Sequence, residues 1–156
     1  MTAGDKWSTN EAGMAIDGYD VVAYFTMDQA LRGKSRYKAT YEGATFHFAN
    51  ATHRDMFTKE PGKYAPKYGG HCAFAVAAKK AKVPADRKTF KIHNGQLLLF
   101  FIDLWDDKKF NTKVPWNQDE QAMYSTAEKV FCLRYFFQAA YLKPFHLAID
   151  TIGFNN

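Results

Sequence analysis

The sequence predicts an α+β fold of two β-hairpins and short helices, extended by one aromatic helix toward the C-terminal end. Three observations carry that prediction. Glu42-Gly43 separates two stretches in which aromatic and alanine residues alternate with polar ones. Asn94-Gly95, the strongest short hairpin signal in the chain, separates "KTFKIH" from "QLLLFF". Asn117, with Glu120 three residues later, opens a run that ends in "VFCLRYFFQAAYL".

Each element follows from local chemistry. In "AIDGYDVVAYF", Asp17-Gly18 reads as a turn and Asp20 as the cap of a short helix through Val21 to Ala23. In the first hairpin a two-residue turn at Glu42-Gly43 sets Tyr41 opposite Ala44 and Ala39 opposite Phe46. Tyr37, Ala39, Tyr41, Ala44, Phe46 and Phe48 then share one face, and Lys38, Thr40, Thr45 and His47 the solvent face. Asn50 caps a helix that carries Met56 and Phe57, and Pro61 ends or redirects it. Pro66, Gly69 and Gly70 bend the chain before "HCAFAVAAKKAK", which suits a helix of about three turns closed by Val83-Pro84.

The second hairpin sets Ile92 opposite Leu97 and Phe90 opposite Leu99. Its other face should be polar if water covers it, yet Leu98 and Phe100 stand there beside Thr89 and Lys91. Something must cover them. "DLWDDKKFNTKVPW" reads as a loop, and a helix is expected over about 118–142, before Pro144. Its second half is apolar nearly all round, so it needs a burial partner. The predicted organisation is an N-terminal segment over 1–14, a domain over 15–101 and an extension over 102–156.

Composition bounds the function. The 156 residues are 47% hydrophobic, with 14 Phe and 9 Tyr, enough to build a core. The net charge of +5 is scattered, with a short cluster at Lys79, Lys80 and Lys82 and a pair at Lys108 and Lys109. That pattern weakly favours acidic partners and gives no nucleic-acid stripe. Cys72 and Cys132 do not demand a disulfide. The N-terminal residues lack the apolar stretch of a signal peptide, and no run reaches the ~20 apolar residues of a membrane span. The chain therefore reads as soluble, with its compartment open.

"AIDGYDVVAYF", "YEGATFHFA", "HRDMF", "KYAPKYGGHCAFAV" and "FKIHNGQLLL" occur in an order that resembles the YHS-domain proteins. The likeness is to the small bacterial-type branch with a Gly-Tyr-Asp-x-Val-Ala-Tyr-Phe opening and a Tyr-Gly-Gly-x-Cys-Ala centre. It covers roughly Ala15 to Phe100. It implies a small YHS/TRASH-like domain, a link to heavy-metal handling, copper above all, and frequent export of family members. Two departures stand out: "LLLFF" replaces the family's alternating strand, and residues 102–156 have no counterpart in it.

Candidate site residues follow. Cys72 at a helix start would have its thiol activated by free N–H groups, and a thiolate suits Cu(I) or Zn(II). His71 and His53 are the further candidate metal ligands, although helical neighbours point about 100° apart and 71 and 72 do not easily share an ion. The other reading of Cys72 is a small buried residue packed behind Gly69-Gly70. Asp17, Tyr19 and Asp20 are candidates for a polar ligand pocket; turn and cap chemistry explains the same residues. Leu98, Phe100, Val130, Phe131, Phe136, Phe137 and Tyr141 are the candidate partner interface of an accessory subunit. The alternatives are that the helix folds back on Leu98 and Phe100, or that it lies on a membrane surface. No acid–base pair or nucleophilic triad has a defensible spacing.

Overall fold

The computed structural model describes residues 6–105 and 107–141, with side chains described except at Trp105 and residues 134–141. The fold is α+β. After a 3-10 turn at Ile16–Gly18 come α1 (Val21–Thr26), β1 (Lys34–Tyr41), β2 (Ala44–Phe48), α2 (Ala51–Lys59) and α3 (Pro61–Tyr64). A 3-10 turn at Lys67–Gly70 leads into α4 (Ala73–Lys79), then β3 (Asp86–His93) and β4 (Gln96–Phe100). The extension adds β5 (Ile102–Trp105), β6 (Lys108–Asn111), α5 (Lys113–Gln118) and α6 (Glu120–Tyr141).

The strands form three separate antiparallel hairpins rather than one sheet. Both predicted registers are present: Tyr41 opposes Ala44 and Ala39 opposes Phe46, while Ile92 opposes Leu97 and Phe90 opposes Leu99. Asn94 and Gly95 both have positive φ, 49° and 72°, the backbone of a type I′ turn. β1 departs from regular pairing between Lys34 and Lys38. His47 faces Lys38 as expected but is half-buried, not solvated.

Two apolar cores result. The first holds Trp7, Ile16, Val21, Val22, Tyr24, Phe46, Phe48, Phe57, Leu97 and Leu99, with Tyr37, Ala39 and Tyr41 packed against it. The second holds Tyr68, Ala73, Val76, Ala77, Leu98, Phe100, Trp116 and Ala127. Alternation along β4 sends Leu97 and Leu99 to one core and Leu98 and Phe100 to the other, so the strand is buried on both faces. The cover that Leu98 and Phe100 require comes from α4, Trp116 of α5 and Ala127 of α6.

Three expectations need correction. The region read as a loop contains the β5–β6 hairpin. The helix start is not a capping box from Asn117, which lies inside α5; Asp119 instead accepts from Ala122 N–H (3.3 Å). "HCAFAVAAKKAK" is helical only over Ala73–Lys79, ending at Lys80 in the left-handed region.

Candidate functional site

The Gly-Tyr-Asp motif is built around Asp20. Its side chain is fully buried. Oδ1 accepts from Val22 N–H (2.9 Å) and Ala23 N–H (3.3 Å), the orphan donors at the start of α1. Oδ2 accepts from Ala49 N–H (2.8 Å) and from His53 Nδ1 (2.6 Å). Asp20 therefore caps one helix and fastens the first turn of the next. His53 Nε2 lies 3.5 Å from Thr26 Oγ1. With Nδ1 committed to a carboxylate, His53 is oriented by Asp20 and stands apart from Cys72's partners.

Asp17 takes a different role. Its φ of 54° turns the chain, and Oδ2 accepts from Arg87 Nε at 2.9 Å. Arg87 is buried and also donates to Gly70 O (3.1 Å) and Ser8 Oγ (3.0 Å), while its own carbonyl accepts from Tyr24 O–H (2.8 Å). Burial raises the Tyr24 phenol well above its usual range. Tyr19 carries the Arg32 guanidinium 4.8 Å from its ring centre. Asp17 is exposed, Tyr19 half-buried and Asp20 buried. Each of the three braces a different junction.

The Tyr-Gly-Gly motif follows from close packing. Tyr68 and Gly69 both have positive φ, 54° and 66°, and the N-terminal segment crosses here, with Ser8 N–H donating to Gly69 O (2.7 Å). A Cβ on Gly69 would collide with the Lys6 carbonyl oxygen. Tyr68 O–H donates to Glu128 of α6 (3.1 Å), which also pairs with Lys67 (2.8 Å). Burial and that carboxylate push the Tyr68 phenol far up.

His71 and Cys72 precede α4 rather than begin it. His71 has an extended backbone (φ −77°, ψ 164°), whereas Cys72 (φ −59°, ψ 116°) is the N-cap of α4, its carbonyl accepting from Val76 N–H (3.1 Å). Cys72 is fully buried in the first core, and its Sγ lies 3.3 Å from Thr112 Oγ1. Thr112 Oγ1 donates to Phe101 O (3.0 Å) and accepts from Phe101 N–H (2.9 Å). Its single hydrogen is thereby used, so the Cys72 S–H is the donor. His71 is buried, and neither ring nitrogen has a hydrogen-bond partner. Burial, reinforced by the charges of Lys82 and Arg87, lowers its pKa to about 4 and holds the imidazole neutral.

Among the described residues no three His, Cys, Asp or Glu side chains converge on one point. Cys72 is plugged by Thr112 and His53 is held by Asp20. Both cysteines are free, Cys72 buried and Cys132 exposed.

The interface residues divide. Leu98 and Phe100 have no exposed surface and belong to this chain's own second core, so they cannot meet a partner. Val130 and Phe131 are half-buried against the same core, and Phe131 packs on Tyr68 at 5.5 Å between ring centres. Phe136, Phe137 and Tyr141 lie outside the described side chains. Among the described residues, no helix is long and apolar enough to cross a membrane.

Sequence reasoning missed Arg87 and Thr112. Each acts through partners distant in sequence, and neither sits in a recognisable motif. No protein-family model, curated protein or solved structure matches the chain.

Proposed function

We propose that this chain is a YHS-type binding module that acts as a non-catalytic accessory protein. One observation carries the reading: the polar residues of its two motifs are spent on holding the fold. Asp20 uses both oxygens on backbone N–H groups and His53, Asp17 anchors Arg87, and Cys72 is sealed by Thr112. A molecule built this way works through its surface.

The test is native mass spectrometry combined with elemental analysis, on full-length chain purified without chelator or affinity metal. The expected result is a metal-free chain that retains a protein partner when isolated gently from its source. Stoichiometric metal would overturn the reading.

A second reading, copper handling at Cys72 and His71, is favoured by one specific feature. A buried neutral imidazole with both nitrogens unpartnered is the form in which histidine binds a soft metal. Titration of Cu(I) into wild type, Cys72→Ala and His71→Gln decides it; equal affinities in all three would sink it.

A further inference from the structure

β3 is an edge strand. It pairs only with β4, and no other strand or bridge reaches it among the described residues. The two-residue turn makes His93–Gln96 a hydrogen-bonded pair. Antiparallel pairs then alternate, so Phe90 and Ile92 turn their N–H and C=O groups away from β4. Phe90 O confirms the direction, because it accepts from Lys113 Nζ at 2.8 Å.

A groove of about 620 Å³ runs along this edge. Its lining includes the consecutive run Lys88 to Ile92 on one side and Asn111 and Lys113 of the extension on the other, with Asp28 also contributing. The volume falls within the roughly 300–1,000 Å³ of ligand sites. Its charge is unbalanced. Lys91 is neutralised by Glu120 at 2.6 Å. Lys113 is half-buried, and its Nζ donates to the Phe90 carbonyl rather than to a carboxylate. Lys88 is exposed, and Asp28 is the one carboxylate in the lining.

We propose that this edge binds an extended, acidic peptide segment of a partner protein, which adds to β3 as an antiparallel or parallel strand. Phe90 N–H and the outward groups of Ile92 supply the ladder, and Lys88 together with the Nζ hydrogens that Lys113 does not give to Phe90 O select acidic side chains. The same lysines disfavour a second copy of this chain, because edge-to-edge pairing would set like charges together. The proposal rests on the accessory-module reading and names the class of partner.

The experiment uses the full chain and a fluorescent peptide of alternating Glu and Val. Fluorescence anisotropy should report binding, with slowed amide exchange at Phe90 and Ile92. The Lys88→Glu/Lys113→Glu chain should bind about tenfold more weakly, the loss expected of two surface ion pairs. A peptide of the same sequence N-methylated at alternate residues keeps its charge but cannot pair, and should not bind. Equal binding of the methylated peptide, or equal competition by inorganic phosphate or succinate, would make the groove a small-anion site and overturn the proposal. So would no binding at all. A natural complex that survives in the Lys88→Glu/Lys113→Glu chain would also overturn it, while leaving the accessory-module reading standing.

Discussion

The two cores are built by different means. The first is gathered from buried side chains spread from Trp7 to Leu99, with Phe57 packed against Phe46 and Phe48 at ring distances of 4.9 and 5.1 Å. The second depends on one strand face, one short helix and the extension. Polar clasps reinforce it. Glu120 Oε1 gathers Lys91 (2.6 Å), Trp116 Nε1 (3.2 Å) and His93 Nδ1 (3.3 Å), and Glu128 gathers Lys67 and Tyr68. The first core is self-sufficient in apolar surface. Ion pairs brace both, but those of the first, Asp20–His53 and Asp17–Arg87, hold a cap and a turn, whereas those of the second clamp α6 at its margin.

Large-to-small substitutions give the strongest way to break that contrast. Phe46→Ala should cost about 3–5 kcal/mol of global stability in urea unfolding. Trp116→Ala should cost about the same, but as a regional effect: α6 amides should lose exchange protection while β1–β2 amides keep theirs. Equal loss in both regions would mean one cooperative core.

His71 offers a pH test at the junction. Its folded pKa of about 4 lies below the ordinary value of 6.5, so the unfolded chain binds the proton more readily. Its contribution is fully present above pH 6.5 and is lost as pH falls through about 4, on the order of 3 kcal/mol in all. His71→Phe should flatten the stability slope in that window; an unchanged slope would show that other groups set it.

Thr112 joins the two cores through Cys72. In a Cys132→Ser background, Thr112→Val should cost about 1–2 kcal/mol, because it strips Phe101 of its hydroxyl partner. Cys72 should then react faster with a thiol reagent. An unchanged rate would mean that Thr112 does not seal it.

The smallest effect belongs to the clasp. Glu120→Gln should lower stability by about 0.5–1 kcal/mol, since its pairs are partly exposed. The change should appear first in α6 exchange and shrink at high salt. The Glu120 carboxyl sits below its usual range: burial opposes ionisation, but the hydrogen bonds from Lys91 and Trp116, with the His93 and Lys91 charges, outweigh it. The clasp should therefore persist at mildly acid pH.

Much of this was legible in the chain because the signals were local. Glu42-Gly43 and Asn94-Gly95 fixed both registers, Asn50 and Asp20 marked helix starts, and the misplaced apolar face of Leu98 and Phe100 pointed to the second core. What escaped was long-range or weakly encoded. The β5–β6 hairpin lacks an Asn-Gly turn and exposes Leu104 and Phe110, so its pattern resembles a loop. Arg87 draws its partners from Ser8, Asp17 and Gly70, and no periodicity anticipates such a knot. The pairing of Asp20 with His53 joined two residues that the sequence offered for separate roles.

A strand with two buried faces also has a history during synthesis. The first core is complete once β4 has left the ribosome, but Leu98 and Phe100 must wait for Trp116 and Ala127. At about 5–20 residues per second, the intervening chain takes seconds to emerge. Through that interval α4 alone covers part of that face, and the rest stays adhesive until Trp116 of α5 and then Ala127 of α6 arrive to seal it.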